Sequence, residues 1–446
     1  MDFLDNLVLP QSAHHMVLLK YLLVLTYIIF IPYVSILTGS LIYSIYFNRE
    51  GRKHNNPVFS SISKRIIDQI TFNKSIALGL GVVPLLSAAF CYAQLLHLTG
   101  VNVPEYVLGA AILMFASILF IYTYKYSFSL NRLFEKITVG NNEETQTEIN
   151  NYSNSTKNLS SKSGIYGLVL LLITIYIFSG AVSLAVDSPN WSTNNSFFSI
   201  LLSLKTLVTF LQLVLFSFLA SSTYLLYIYF RPSTEEILTT DERDGLRTFV
   251  LRTGLIFSIA LPFIIVISLF AKPILSLSGT VFVLVVFSIL FSLFISNLFY
   301  FMIKESHERY SSIIFFVLIF LFALMVIKDQ FAFDTATKKQ FVILAANFED
   351  YQKKLKESMG VAAAPISGAD IYNGKCIACH KFDTRLVGPA YNDVLPKYEG
   401  KKDELIKFVL NPVKINPEYP SMPNQGLKPN EAEAIVTYLL EHSSKK

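Results

Sequence analysis

The sequence predicts an all-α protein, a polytopic bundle of about eight membrane-spanning helices followed by a small C-terminal domain. Of its 446 residues, 52% are hydrophobic and only 15% are charged, a balance too apolar for an ordinary soluble protein. Apolar runs long enough to cross about 30 Å of hydrocarbon recur along the first three quarters of the chain. They cover residues 16–47, 75–97, 106–127, 164–186, 204–230, 249–271, 278–303 and 311–327.

Net charge and cysteine content narrow the range of partners and chemistry. The formal net charge is only +5, so nothing indicates a nucleic-acid partner. Three cysteines are too few for a disulfide framework, and Cys91 lies in an apolar run where we expect it to pack as a small hydrophobic residue. Asp2 and Asp5, and no basic residue, precede the first apolar run, which argues against a cleaved signal peptide.

The positions of the loop cations predict the orientation in the membrane. Nearly all loop Lys and Arg residues lie in the segments 48–74, 125–163, 231–248 and 304–310, whereas the alternate segments 1–15, 98–105 and 187–196 have none and 272–277 has only Lys272. Positively charged loops stay in the cytoplasm. We therefore expect both termini outside, on the periplasmic face of a bacterial inner membrane. An even number of spans agrees, because the two ends must then share a side.

The remaining segments complete the predicted domain plan. Residues 128–163 are rich in Asn, Ser, Thr, Glu and Lys and are expected to form a mobile loop. Residues 335–358 resemble a polar amphipathic helix, and the Gly/Ala/Pro/Ser stretch 360–368 is expected to act as a hinge. The predicted domains are a transmembrane bundle (1–330), a linker with the amphipathic helix and hinge (331–368), and a C-terminal domain (369–446).

One short motif in the C-terminal domain carries chemistry. Residues 376–380 read Cys, Ile, Ala, Cys, His, and this spacing is typical of covalent haem attachment, in which two thiols on one helical turn reach the haem vinyl groups and the histidine binds the iron. A zinc half-site would need two further ligands, and no second cysteine pair exists. A thioredoxin-like dithiol would need a strand-helix-strand unit, which the surrounding sequence does not indicate.

Residues 369–442 resemble class I cytochrome c, and the helices around the motif carry part of this resemblance. A short helix, Ala369 to Gly374, leads into the motif, as in that family. A C-terminal helix, Asn430 to Glu441, matches the family helix that packs on the N-terminal one. It carries on one face Ala434, Ile435, Tyr438 and Leu439.

The resemblance also implies the set of haem ligands. Gly388 and Pro389 match the family's Gly-Pro, whose proline carbonyl orients the proximal histidine, here His380. Met422 follows that histidine by 42 residues, where short members of the family place the distal thioether ligand. One covalent haem c, attached through Cys376 and Cys379, would then have both axial positions filled. Such ligation raises the reduction potential and suits outer-sphere electron transfer.

Three histidines near the membrane surface suggest a second site. His14 and His15 lie at the outer end of the first span and His97 at the outer end of the second, so antiparallel neighbours would place them at the same depth. Such a set could hold a b-type haem or line a quinone pocket, since ionisable residues in membrane segments are often functional. The alternative is that they lie among the lipid headgroups.

The first two spans also resemble subunit I of cytochrome bd-type quinol oxidases. An oxidase of this kind needs further haem ligands and carboxylates for protons, and the later apolar runs have no membrane-embedded His, Asp or Glu. We therefore expect no oxygen-reducing site. The resemblance rests on an outer histidine, on Phe30, Ile31, Pro32 and Gly39, and on Gly79, Leu80, Gly81, Val82, Val83 and Pro84.

Together these patterns predict a membrane-bound mono-haem c-type cytochrome that carries electrons in a respiratory chain, with no catalytic residue of its own. Its expected partners are the membrane and either subunits of a respiratory complex or a terminal oxidase. One alternative is a quinol-oxidising cytochrome b/c-type subunit with a b haem or quinone at His14, His15 and His97. Another is a degenerate oxidase-like bundle that serves only to anchor the C-terminal domain.

Overall fold

The structure, a computed structural model, describes residues 8, 10–134, 143–191, 197–232, 238–305, 309–359 and 366–443. Within these residues every regular element is a helix. The chain divides into two compact units, Met1–Phe348 and Glu349–Lys446. The all-α class predicted from the sequence is therefore confirmed.

The first unit holds the long apolar helices. Eight helices in the described ranges are long and apolar enough to span a membrane, which confirms the predicted number. One of these spans, Lys74–Leu95, is interrupted at Val82, two residues before Pro84. The helices are α1 (Ala13–Lys53), α2 (Pro57–Ile70), α3 (Lys74–Gly81), α4 (Val83–Leu95), α5 (Val103–Phe134), α6 (Glu143–Ala185), α7 (Phe197–Leu201), α8 (Leu204–Phe230), α9 (Thr240–Ala271), α10 (Gly279–Glu305), α11 (Ser311–Ala336) and α12 (Lys338–Ser358).

Polar residues mark where several of these helices begin. The side chain of Asn73 caps α3 by accepting hydrogen bonds from the first turn, and Asn56 does the same for α2. At α9, Thr239 and Glu242 form a capping box in which each side chain accepts from the other's backbone N–H. Such caps satisfy the amide groups that the first turn of a helix leaves unpaired. These caps determine the residue at which each of the three helices begins.

Helix α1 lies at the centre of the first unit, where it packs against α2, α4, α6, α8 and α11. Gly39 lets α1 and α8 approach most closely. A Cβ at this position would overlap the backbone oxygen of Ser217 and would lie 2.5 Å from Oγ of Ser221. The Ser221 hydroxyl donates to the backbone oxygen of Ile36 at 2.9 Å. Small residues and interhelical hydrogen bonds of this kind hold membrane helices together.

We expect Gly39→Val to destabilise the bundle strongly, because a side chain at this position meets backbone that cannot rotate away. Overpacking of a well-packed core costs about 1–3 kcal/mol or more. The matched control is Gly79→Val, since a Cβ at position 79 has no heavy atom within 4 Å. Thermal unfolding in detergent, followed by the fluorescence of the single tryptophan Trp191, should give a lower midpoint for the first variant only. Equal midpoints for the two variants would contradict this assignment.

Helices α5 and α6 extend much further than their apolar runs predict. The expected mobile loop at 128–163 is wrong for most of its length, because α5 continues to Phe134 and α6 already begins at Glu143; residues 135–142 lie outside the described ranges. The polar extensions are held by contacts between the two helices. The Ser153 hydroxyl donates to Asn131 at 3.2 Å, and the rings of Phe134 and Tyr152 are stacked. Tertiary packing therefore decides the conformation of a segment whose composition favours disorder.

Helix α11 also continues beyond the predicted end of its apolar run at residue 327. It includes Lys328 and Asp329 and ends only at Ala336. Asp329 therefore belongs to this helix, outside the apolar run, and the expectation that the later spans hold no membrane-embedded acidic residue stays a prediction. Asp329 is neutralised by Lys328 at 3.0 Å and by Lys272 at 2.7 Å, and this pairing allows charged residues to lie inside a helical bundle.

The second unit is small and folds around its own cluster of buried side chains. The helices Gly368–Ile371 and Pro429–Ser443 cross at Gly368, where a Cβ would lie 2.5 Å from the backbone oxygen of Ala434. The buried cluster comprises Tyr372, Cys376, Tyr391, Leu395, Leu405, Val409, Ile435, Val436 and Leu439. The elements are α13 (Gly368–Ile371), a π-helical turn (Tyr372–Cys376), α14 (Tyr391–Val394), a 3₁₀ turn (Leu395–Tyr398), α15 (Lys402–Leu410) and α16 (Pro429–Ser443).

Residues 360–368, which lie within the second unit, are predicted to act as a hinge. Residues 360–365 lie outside the described ranges. The last residues of the segment belong to the folded unit, because the Ser367 hydroxyl accepts from the backbone N–H of Asp370 at 3.2 Å and Gly368 begins α13.

Candidate cofactor site

The motif at 376–380 lies on a turn that brings its three functional side chains to one side. The backbone N–H groups of Cys379 and His380 both donate to the oxygen of Cys376, at 3.1 and 3.0 Å. Cys376 is buried and Cys379 is half-buried, and neither forms a disulfide. Two thiols on a single turn, with a histidine following directly, can therefore bond to one edge of a flat ligand while the imidazole faces its centre.

The orientation of the His380 ring is set by the loop that follows the motif. Nδ1 of His380 lies 3.0 Å from the backbone oxygen of Pro389, and since a carbonyl can only accept, Nδ1 carries the proton. Nε2 is left with a free lone pair, which is the form of imidazole that binds a metal. The loop is itself attached to the motif, because the N–H of Gly388 donates to the oxygen of Cys379 at 2.9 Å.

Gly388 is required here by close approach rather than by an unusual backbone angle. A Cβ at this position would lie 2.7 Å from both ring nitrogens of His380, well inside van der Waals contact. Tyr391 covers the same imidazole, with ring centroids 4.9 Å apart and planes inclined by 19°. The histidine is thus held on two sides and by one hydrogen bond, so its ring has little freedom to turn.

Tyr391 also contacts the motif through its hydroxyl, which is hydrogen-bonded to the thiol of Cys376. Burial raises the pKa of both groups above their usual values, because it disfavours their charged forms. Sequence reasoning did not single out this tyrosine. Its position two residues after the Gly-Pro pair was the only available signal.

Met422 lies in an irregular segment between α15 and α16, and it is half-buried. Hydrogen bonds and a ring contact hold this segment. The Asn424 amide donates to the oxygen of Leu410 at 3.0 Å and accepts from the N–H of Gly426 at 2.8 Å. The guanidinium of Arg385 lies 4.5 Å from the ring centre of Tyr419, which ties the segment to the loop after the motif.

All the site residues predicted in this unit meet at one cleft. Cys376, Cys379, His380, Pro389 and Met422 line a cavity of about 310 Å³, with mainly apolar side chains between them. A large, flat and mostly apolar group with a metal at its centre fits these walls, and the donor set is two thiols, an imidazole and a thioether. No cluster of three or more His, Cys, Asp or Glu side chains suited to a bare metal ion occurs in the described part of the chain. The residues present therefore fit a haem.

Three lysines, Lys375, Lys397 and Lys414, also line this cleft, and no acidic side chain does so among the residues that the structure describes. Along the sequence of this domain, basic and acidic residues are nearly equal in number, so composition alone does not give the sign of its docking face. The loops place the positive charges at the cleft, where they would meet anionic groups of a ligand or partner.

The membrane histidines are placed differently from those in the cleft. His14 and His15 are exposed on the first turn of α1, and His97 is half-buried beyond the end of α4, where its backbone oxygen accepts from Gln340 at 2.6 Å. None of the three lines the cavity of about 70 Å³ that the bundle contains. The b-haem or quinone site at these residues stays a prediction.

The sequence of the second unit matches known proteins. The cytochrome c family model matches residues 366–443. Cytochrome c-551 of Pseudomonas denitrificans is 30% identical over 79 residues, which cover 17% of this chain and 95% of that protein. The chain therefore belongs to the cytochrome c family. Cytochrome c-551 of Allochromatium vinosum is 32% identical over 87 residues (18% and 93%), and cytochrome c-552 of Hydrogenobacter thermophilus is 30% identical over 97 residues (19% and 97%).

A cytochrome c domain implies covalently bound haem c and haem-based electron transfer. The eight apolar helices add to this domain a multi-pass membrane region, so the chain is a membrane protein that carries a cytochrome c. The family match begins at residue 366 and does not include α1 or α4, so it gives no support to the resemblance of the first two spans to bd-type oxidases.

Proposed function

We propose that this protein is a mono-haem electron carrier of a bacterial respiratory chain, fixed in the inner membrane by its helical bundle. In this proposal the cytochrome c domain faces the periplasm and passes electrons to a terminal oxidase or to another subunit of a respiratory complex. The observation that carries it is the meeting of the two cysteines, His380 and Met422 at a single cleft.

The roles of the residues follow from this cleft. Cys376 and Cys379 would hold the haem through thioether bonds, and Nε2 of His380 would bind the iron on one side. The Pro389 carbonyl fixes the ring and increases the basicity of Nε2. Met422 would supply the ligand on the other side. If His380 and Met422 both bind the iron, no position would remain there for a substrate, which would favour electron transfer over catalysis.

The charge around the cleft indicates the kind of partner. Lys375, Lys397 and Lys414 give the cleft a positive rim. Such a surface attracts a partner whose docking face is acidic, and complementary charge mainly increases the rate of association. The expected dependence on ionic strength is a lower rate of electron transfer at high salt, because salt screens exposed charges.

Two arguments support the periplasmic orientation. First, the loops rich in Lys and Arg are expected to lie in the cytoplasm. Second, an even number of spans places the C-terminal domain on the same side as the N-terminus, opposite to these loops. A b haem or quinone at His14, His15 and His97 would add a quinol-oxidising role. Optical spectra of a His97→Ala variant test it, because a b-type signal that this variant loses would establish that site.

The test of the electron-carrier proposal is Met422→Leu, which replaces the thioether by an apolar side chain of similar size. We expect a lower reduction potential, by a sizeable part of the roughly 0.8 V range that axial ligands span. Potentiometric titration of the full-length protein measures it, together with pyridine haemochrome analysis for one haem c per chain. The control is Met359→Leu, because Met359 is 60% exposed and does not line the cleft.

Two results would overturn the proposal. One is a chain purified from cells competent for haem attachment that holds no covalent haem. The other is a Met422→Leu variant whose potential and spectrum equal those of the wild type, because the sixth ligand would then be another residue.

A further inference from the structure

A second cavity, of about 70 Å³, lies inside the bundle between α1, α6, α8, α9 and α11. It is near the end of the bundle where α1 and α8 begin and where α6, α9 and α11 end. Most of its walls are apolar. The charged and amide side chains that line it are Lys205, Gln212, Lys272, Lys328 and Asp329.

The charges at this cavity do not cancel. Lys328 is only 2% exposed and lies 3.0 Å from Asp329, whose carboxylate also contacts Lys272 at 2.7 Å. One carboxylate therefore lies between two ammonium groups. Lys205 is paired separately with Asp187 at 2.6 Å. Three cations and two carboxylates leave one excess positive charge at the cavity. Lys328 is buried, whereas Lys205, Lys272 and Asp329 keep 17–33% of their side-chain surface. Burial of a cation beside this excess charge is unfavourable unless an anion compensates it.

Gln212 is a second and independent indication of a ligand. It is 8% exposed, lines the cavity, and makes no hydrogen bond to any residue in the ranges that the structure describes. The neighbouring hydroxyls are already used, since Thr209 donates to the oxygen of Lys205 at 2.9 Å and Ser268 to that of Ile265 at 2.7 Å. A buried amide without a partner is rare in native structures. Its N–H groups remain available to an acceptor in the cavity.

We propose that this cavity binds a compact monovalent anion, a halide or a carboxylate no larger than acetate. The excess charge supplies the attraction, and the Gln212 amide supplies a neutral donor. The volume of about 70 Å³ exceeds the roughly 10–15 Å³ that one water needs, yet it is far below the 310 Å³ of the haem cleft. It therefore suits a small ion with a few waters. The inference is independent of the proposed electron-carrier function.

The experiment measures anion-dependent stability of the full-length holoprotein in detergent. Sodium gluconate, whose anion is too large for the cavity, is replaced by sodium chloride or sodium acetate at constant ionic strength and pH 7. The single tryptophan, Trp191, reports on the bundle, because its indole N–H donates to the oxygen of Leu184 at 2.9 Å, next to Asp187. The haem absorption reports on the cytochrome c domain. We expect the thermal midpoint from Trp191 to rise with chloride or acetate and to saturate, since a ligand bound only by the folded state stabilises it.

Substitutions locate the effect. Lys328→Met leaves Asp329 paired with Lys272 and removes the excess charge, so we expect the apparent anion affinity to fall at least tenfold. Gln212→Leu keeps every charge, and we expect it to weaken anion binding several-fold. If Lys328→Met fails to fold, Gln212→Leu alone tests whether the anion binds in this cavity. The control is Lys20→Met, because Lys20 pairs with Asp334 at 3.2 Å near the same end and does not line the cavity.

Either of two results would overturn the proposal. One is a Trp191 midpoint in the wild type that is the same in gluconate, chloride and acetate. The other is an anion response that Gln212→Leu and Lys328→Met both retain in full. Because the haem spectrum is recorded in the same samples, failure here is distinguishable from failure of the electron-carrier proposal.

Discussion

Gly388→Ala is expected to disturb the proximal histidine more than any other single methyl group added to the cytochrome c domain. The new Cβ would lie 2.7 Å from both Nδ1 and Nε2 of His380. The ring cannot turn aside easily, because Tyr391 covers it and Pro389 accepts its Nδ1 proton. Either the imidazole leaves its position or the loop carrying residues 388 and 389 moves and the hydrogen bond is lost.

The measurable consequence is a weaker bond between His380 and the iron. Loss of a partner that orients a metal ligand typically costs about 10–100-fold in affinity. We expect partial high-spin character in the oxidised visible spectrum and a lower thermal midpoint of the haem absorption. The control is Gly374→Ala, which adds the same methyl group two residues before Cys376, where no heavy atom lies within 4 Å of the new Cβ. A Gly388→Ala protein with the spectrum and midpoint of that control would contradict the assigned role.

Replacing both cysteines, Cys376→Ala with Cys379→Ala, is expected to remove covalent haem and to unfold the domain that surrounds it. The cleft of about 310 Å³ would lose its occupant, and at about 24 cal/mol per Å³ this corresponds to roughly 7 kcal/mol. That amount is comparable with the whole stability of a small domain, about 5–15 kcal/mol. Nine buried side chains alone make a small core for this unit.

Limited proteolysis and a haem stain on a denaturing gel measure both effects in the full-length chain. We expect cleavage within residues 366–443 and no haem on the gel, with the fluorescence of Trp191 unchanged. Cys379→Ala alone retains one thioether and should keep part of the haem. Covalent haem in the double variant would show that attachment uses other residues, and a protease-resistant domain without haem would show that the protein core suffices.

The sequence predicts the number of spans and the residues of the cleft because both depend on local signals. Apolar runs of membrane length are visible without neighbours, and the spacing of Cys376, Cys379 and His380 is set by one helical turn. The polar ends of α5 and α6 are not predictable in this way, since Ser153 and Asn131 stabilise them only by meeting across two helices. The same holds for Lys328, because the carboxylate of the adjacent Asp329 also pairs with Lys272 at the end of α9.

The directions of side chains in the cytochrome c domain are likewise not predictable from the sequence. The pairing of His380 with Pro389 follows a known motif, whereas the stacking of Tyr391 on the same ring depends on how the intervening loop folds. The collection of Lys375, Lys397 and Lys414 at one cleft brings together three separate segments. Counting charges along the chain cannot reveal such a grouping.

Helix α6 is much longer than a membrane span requires. With 43 residues it is roughly 64 Å long at 1.5 Å per residue, about twice the hydrocarbon thickness of about 30 Å. About half of α6 therefore exceeds the length that a membrane span needs, and this half packs against the end of α5 through Phe134 and Tyr152. An epitope or fluorescent label placed on this half would move as one body with the spans. It offers a fixed mark for imaging the protein and for determining which compartment that side of the membrane faces.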